Sequence, residues 1–312
     1  MKHNCPWNSP VLSTHACPFP GCLSQTQGPR SKRPARFGFY FRRDDSRRVQ
    51  RFRCQSCLRT FSRATQSPTY RQRKRRINPK LYGYLSSEVS LRRCAYLAGV
   101  DRKTVARRIP FFGAQIRQAQ EKQKVGQVQE VEFDELESIE HTKLKPLSVP
   151  LAVDTTTRRV IAFEVCQMPA KGLLAERSRR KYGPRPDERP KALRRLLDTV
   201  AKRCEGLKVV RSDSNPNYAE IVRSCLPGVT HEQVLSRRAA STGQGELKRG
   251  GFDPIFTLNH TCAMLRANIS RLIRKTWCTT KRRDRLADHL AIYVHFHNEV
   301  VLKELSTGRR AS

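Results

Sequence analysis

Four cysteines near the N-terminus have the types and spacing of metal ligands. Cys17 and Cys22 form the C-x4-C of "CPFPGC", and Cys54 and Cys57 the C-x2-C of "RCQSC". A tight loop of this kind aims two thiolates at one ion. Two such loops together supply the four soft ligands of a closed, tetrahedral, structural Zn²⁺ site. Cys5 and His15 are substitute ligands should one of the four fail. Cys94, Cys166, Cys204, Cys225, Cys262 and Cys278 stand singly in apolar patterns and read as core thiols.

A second set of chemically capable residues is acidic. The stretch "EVEFDELESIE", residues 130–140, gathers Glu130, Glu132, Asp134, Glu135, Glu137 and Glu140 in a chain that has 62 Lys and Arg against 27 Asp and Glu. Farther on, the apolar run "GLKVVRSD" ends in Asp213. Side chains at strand ends project into the crevice of an open α/β sheet, so Asp134 and Asp213 are candidate ligands for a divalent cation. Carboxylates forced together repel unless a cation occupies the space between them. A pair of Mg²⁺ or Mn²⁺ ions about 4 Å apart suits phosphodiester chemistry, one activating the attacking oxygen and the other stabilising the leaving oxygen.

Elements to position these groups are legible around them. "RFGFYFRRDDSRRVQRFRC" reads as two strands joined around Asp44 and Asp45, which with the cysteines gives a zinc ribbon. The basic, Pro-interrupted segment 63–80 reads as a linker, either solvated or tracking phosphate. "SEVSLRRCAYLAGVDRKTVARRI" predicts two helices broken at Gly99, with Asp101 as a cap. The second helix would present Arg102, Lys103, Thr104, Arg107 and Arg108 to a major groove. Pro110 is expected to start another helix. Past Gly126 the Val- and Phe-rich run to Glu137 predicts a strand, and "LSVPLAVDTTTRRVIAFEV" a hairpin turning at 155–158. A helix follows Asp213 and includes Tyr218, a packing residue with no Arg/His constellation of a recombinase nucleophile. Residues 170–191 read as an exposed insertion.

Charge narrows the partner. The formal net charge is +35, and residues 1–126, with 28 basic and 5 acidic side chains, are the most basic part. Arg-rich surfaces of this kind bind phosphate bidentately, which makes nucleic acid the leading partner. No apolar run approaches the roughly 18 residues of a membrane span, and the N-terminus lacks the hydrophobic core of an export signal. The expected location is the cytoplasm, on the nucleoid, where cysteines stay reduced. No Gly-rich Walker motif appears, so ATP-driven chemistry is not expected.

In order and content these motifs resemble the DDE transposases of the insertion-sequence-one type. "FDELES" is similar to that family's first catalytic segment, "SDSNPNY" to its second, and "NHTCAMLRANISRLIRKTWCTTKRRDRLADHLAIYVHFHN" to its C-terminal helical block. The resemblance implies an α/β chain with a ribonuclease-H-like catalytic domain over 125–305. Ahead of it come a small zinc ribbon over 1–64 and a basic linker and helix-turn-helix domain over 65–124. It implies a catalytic triad of Asp134, Asp213 and Asp284, with Asp288 and Glu299 as alternatives for the third ligand. It also places Arg266, Arg271, Arg274 and Lys275 on a long helix that grips the donor strand. His260, His295 and His297 read as surface or capping residues, with contact to phosphate or substrate as the alternative. The implied activity is metal-dependent cleavage at transposon ends and strand transfer into target double-stranded DNA, by a homo-oligomer. A transposase-derived DNA-binding regulator without activity and a nuclease of the same fold are the competing readings. The chain departs from the family's pattern at Asp284, where Glu is usual, and at Ser214, where Gly is usual.

Overall fold

A computed structural model describes residues 17–26, 33–121, 123–235, 253–273 and 278–307. The chain divides into two compact units, residues 1–82 and 83–312.

In the first unit a one-turn helix α1 (Leu23–Thr26) precedes an antiparallel sheet of β1 (Ala35–Arg42), β2 (Arg47–Arg53) and β3 (Thr60–Ser62), in that order. The hairpin turns over 43–46, as its Asp-Asp sequence predicts. Asp45 accepts from Arg42, and Asp44 accepts from the backbone N–H of Lys74 and, at 3.2 Å, from Nε of Arg75. Two carboxylates in so basic a stretch thus draw the following segment back onto the turn, and residues 74–76 are not an open linker. The apolar content of this unit around the cysteines is small: Phe61 is buried, and Phe52 packs on it with ring centroids 5.8 Å apart. Helix α2 (Asn78–Leu85) spans the junction between the units.

The second unit opens with α3 (Leu91–Leu97) and α4 (Arg102–Glu121). The break between them is a Schellman turn. Gly99 takes φ +60°, Val100 N–H reaches Ala95 O at 3.0 Å and Gly99 N–H reaches Tyr96 O at 3.2 Å. Asp101 then accepts from Lys103 N–H at 2.6 Å to start α4. Pro110 does not begin a new helix but lies inside α4. The buried stripe Val105, Ile109, Phe112 and Ile116 runs unbroken past it, and this burial outweighs the roughly 3 kcal/mol that an internal proline costs.

Strand β4 (Gly126–Gln127) pairs with β9 (Cys204–Glu205) in a small parallel ladder. The main sheet contains β5 (Glu130–Glu140), β6 (Thr142–Asp154), β7 (Val160–Phe163), β10 (Val209–Asp213) and β11 (Thr230–Val234), in the order β11-β10-β5-β6-β7. The two-residue β8 (Cys166–Gln167) pairs with β6. β5, β6 and β7 form an antiparallel meander, whereas β10 runs parallel to β5 and β11 parallel to β10.

Because side chains alternate along a strand, β5 feeds two cores. Val131 and Phe133 pack with α6 (Arg189–Arg203) and α7 (Tyr218–Cys225) on one face. Leu136, with Leu151 and Val153 of β6, packs with α8 (Phe256–Asn268) and α9 (Arg283–Phe296) on the other. The insertion 170–191 is not wholly loop: α5 (Leu174–Tyr182) is anchored by the Ser178 hydroxyl donating to Leu144 O at 2.7 Å. A π-helical turn, His297–Val301, and α10 (Leu302–Ser306) end the described chain.

The helical pair belongs to the same compact unit as the sheet, so packing does not break at residue 124. α4 lies against α9 at Gly113, where a Cβ would meet Asp288 Oδ1 at 2.5 Å and Asp288 Cα at 2.9 Å. No helix among the described residues is long and apolar enough to cross a membrane.

Candidate functional site

The ligand atoms of Cys17, Cys22, Cys54 and Cys57 all lie within 4.8 Å of one another. Cys17 and Cys57 sulfurs are 3.6 Å apart, as are those of Cys22 and Cys54. A tetrahedron with metal–sulfur bonds of about 2.3 Å has edges of about 3.8 Å, so the four thiols fit one ion such as Zn²⁺. Their surroundings are not uniform. Burial pushes the Cys17 thiol up to about 12. Cys54 is also raised by burial, but backbone donors at Cys57 and Ser56 and the Ser24 hydroxyl bring it down to about 6. The order of loop, hairpin and loop read from the sequence is the arrangement found; Cys5 and His15 lie outside the described residues.

The acidic stretch is β5 itself. Most of its carboxylates have local partners: Glu130 with Arg211 at 2.8 Å, Glu137 with Lys171 at 3.0 Å and Glu140 with Lys145 at 3.2 Å. Glu135 points to the α6 side, where it accepts from Ser148 Oγ at 2.8 Å. Glu132 is 3% exposed and its Oε2 accepts from Leu258 N–H at 2.7 Å, capping the first turn of α8. Asp134, half-buried on the α8 face, has the N–H of Glu135 as its one hydrogen-bond donor among the described residues, at 2.6 Å.

Asp213 comes to the same place from β10. The parallel pairs Val209–Glu130, Val210–Val131 and Arg211–Glu132 carry Asp213 to the level of Asp134 two residues on, across one strand spacing of about 4.8 Å. The electrostatics agree: burial, then the charges of Asp213 and Glu135, push Asp134 up to about 6, against the opposing pull of Arg266. Asp213 Oδ1 accepts from Asn215 N–H at 3.2 Å. Two carboxylates thus come together on one face of the sheet, one of them desolvated.

Asp284 is not brought to this pair. It sits exposed in the first turn of α9, chelated by Arg282 at 2.6 and 3.0 Å. It lines a groove of about 770 Å³ with Pro110, Ala114, Phe163 and Asp288, at the β7 edge of the sheet. Asp134 is two strands away on β5, with β10 on its other side. The alternatives are engaged as well. Asp288 is buried between Arg117 at 2.7 Å and Arg285 at 2.9 Å, and Glu299 pairs with Arg159 and Lys303, both at 2.7 Å. The helix that does cover Asp134 is α8, whose thirteen residues include no Asp or Glu. Its Cys262 and Arg266 are the groups that sense Asp134.

The proposed DNA-holding residues divide. Arg102, Lys103 and Arg107 are exposed on α4 and Thr104 is half-buried, but Arg108 is buried and faces inward, because it falls on the apolar stripe beside Ile109. Arg266 is on α8; Arg271 is not, since the helix ends at Asn268. Arg274 and Lys275 lie outside the described residues. His295 and His297 are buried rather than at the surface: desolvation holds His295 near 4, and His297 Nε2 lies 3.0 Å from Arg158 O. Half-buried His260 packs at a tilt against Phe256 with centroids 5.7 Å apart. Tyr218 is 2% exposed and packs on Phe133 at 5.1 Å, a core role.

Two features escaped the sequence reading, the buried Glu132 cap and the approach of Arg266 to Asp134. Strand period alone places Glu132 on the face of Asp134. No protein-family model matches the chain, and no curated protein matches it.

Proposed function

We propose that this protein is a DNA-processing enzyme of the transposase type, cutting phosphodiesters at Asp134 and Asp213. The single observation that carries the proposal is the meeting of these two carboxylates on adjacent parallel strands, with Asp134 raised to about 6 by burial and by its neighbour. The strand order β11-β10-β5-β6-β7, three antiparallel and two parallel, supports a ribonuclease-H-like reading of the sheet.

Asp134 and Asp213 would hold a divalent cation, Mg²⁺ or Mn²⁺. Such an ion, when bound, lowers the pKa of a coordinated water and withdraws charge from phosphorus. The chain's own residues do the rest. Arg266 offsets the negative charge at the pair and would bind a phosphate oxygen, and Cys262 and Leu258 would keep that side dry. The exposed cations Arg102, Lys103 and Arg107 would hold double-stranded DNA through phosphate contacts, with two copies bringing two ends together. The four-thiol cluster binds one structural Zn²⁺ in this reading.

A second reading, a DNA-binding regulator without cleavage, is favoured by one observation: Asp284 is held by Arg282 at the β7 edge, and α8 offers no carboxylate. Incubating the protein with DNA that flanks its own coding sequence, with Mg²⁺ or Mn²⁺, separates the two. Cleavage lost in both Asp134→Ala and Asp213→Ala but kept in Asp284→Ala supports a two-carboxylate enzyme. Tight binding with no cleavage by the wild type in either metal refutes it and leaves the regulator.

A further inference from the structure

The β1–β2 hairpin exposes side chains that neither the thiol cluster nor the carboxylate pair uses. Phe37, Phe39 and Phe41 are 41%, 51% and 62% exposed, all on one eight-residue edge strand. Gly38, at φ +65°, marks a bulge that divides them between the two faces of the hairpin. Phe39 and Phe41 lie opposite Gln50 and Arg48 on one face. Phe37 is on the other, with the guanidinium groups of Arg51 and Arg53 at 5.2 and 5.5 Å from its ring centre. Arg48 stands 4.5 Å over Phe39, while Phe41 has no cation over it among the described residues.

The charge around the rings is one-sided. Between residues 33 and 62 nine arginines, and no lysine, stand against two aspartates. Both aspartates are engaged, Asp45 by Arg42 and Asp44 by Arg75, so Arg36, Arg48, Arg51 and Arg53 keep no carboxylate partner among the described residues. Flat apolar faces beside guanidinium forks fit a ligand with planar rings and regularly spaced phosphates. Spacing then chooses its form. Residues two apart on a strand are about 6.7 Å apart, roughly twice the 3.4 Å rise of bases stacked in a duplex strand. Adjacent bases resting on Phe39 and Phe41 are held too far apart to stack on each other, a spacing that a base-paired duplex strand does not offer.

We propose that the β1–β2 hairpin is a stacking platform for single-stranded nucleic acid. Phe39 and Phe41 take successive unpaired bases, and Arg36 and Arg48, on the same face, take the flanking phosphates. The proposal goes beyond the cleavage reading and does not rest on it, since Asp134 and Asp213 play no part in it.

The test is binding of the full chain, without added Mg²⁺, to fluorescein-labelled oligothymidine and to a labelled duplex of equal length, followed by anisotropy. Phe39→Ala/Phe41→Ala should weaken oligothymidine binding about 10-fold to 100-fold, leave duplex binding within about twofold, and keep the bound metal. Phe39→Trp/Phe41→Trp, which restores flat faces, should bind oligothymidine at least as tightly as the wild type. If the alanine pair loses its metal, Phe41→Ala alone, at the most exposed ring, carries the same comparison. Unchanged oligothymidine binding overturns the proposal, as does an equal fall for both DNAs, which would reduce the surface to charge. Unchanged single-strand binding with loss of self-association in sedimentation would assign the rings to a contact between copies, and equally overturns it.

Discussion

Asp134→Asn should stabilise the metal-free protein while removing its response to Mg²⁺. Asp134 titrates near 6 in the folded chain against 3.8 for an unperturbed aspartate, because burial and the charge of Asp213 oppose its ionisation. A rise of about two units corresponds to about 3 kcal/mol of destabilisation above pH 6. Asparagine keeps a carbonyl to accept from Glu135 N–H and carries no charge, so it should recover up to about 3 kcal/mol at pH 7.5. The sign follows from proton counts. Between pH 4 and 6 the folded state binds the proton that the unfolded state has lost, so wild-type stability rises as pH falls through this window. The advantage of the variant shrinks over the same range. Mg²⁺ should reverse the order, since a cation at about 1,000 times its dissociation constant adds about 4.1 kcal/mol to the protein that binds it. Urea denaturation followed by circular dichroism, at pH 7.5 and pH 4.5, with and without Mg²⁺, measures all of this. A variant no more stable than wild type at pH 7.5 without cation, or a difference that does not depend on pH, would refute the reasoning.

Other perturbations test the remaining joints of the structure. Cys54→Ala should reduce bound zinc from one per chain to none and expose the backbone amides of β1, β2 and β3 to hydrogen exchange, because the apolar cluster around Phe52 and Phe61 is too small to hold that sheet alone. Gly113→Val should cost about 1–3 kcal/mol in urea denaturation, since the Cβ meets the backbone of Asp288 and α4 must lift from α9. Arg102→Ala and Arg107→Ala should each weaken duplex binding and lower the log–log salt slope by about one. Arg108→Ala should leave that slope unchanged and lower the unfolding midpoint instead, since this side chain is buried.

The elements that follow from local chemistry were legible. Cys17, Cys22, Cys54 and Cys57 meet because tight loops converge at a hairpin, and both hairpins turn at the polar runs that predict them. Asp213 ends its strand as the apolar run before it predicts, whereas Asp134, expected at a strand end too, lies in the middle of β5. What failed depended on which face of a helix packs. Arg108 belongs to a basic run, yet the 3.6-residue period of Val105, Ile109 and Phe112 turns it inward. Pro110 looks like a helix start in isolation and becomes interior once that apolar stripe is weighed. Asp284 was placed by likeness of order along the chain, and nothing in its own turn says that α9 delivers it to the β7 edge, where Arg282 waits. The approach of α4 to α9 is likewise a tertiary fact: Gly113 signals close packing but not with what.

The alternation of β5 has a consequence for folding fidelity. Asp134 and Glu135 stand next to each other in the chain and face opposite layers of the molecule, so sliding β5 by one residue against β6 would exchange them. The same slide would turn Phe133 and Val131, both fully buried, out of their core and force Glu132 away from the start of α8. A chain in the wrong frame therefore loses apolar burial, the α8 cap and the carboxylate pair in a single step. Molecules that pass the packing test have their acid in the right place, and the hydrophobic pattern of one strand acts as an inspection of the site that it carries.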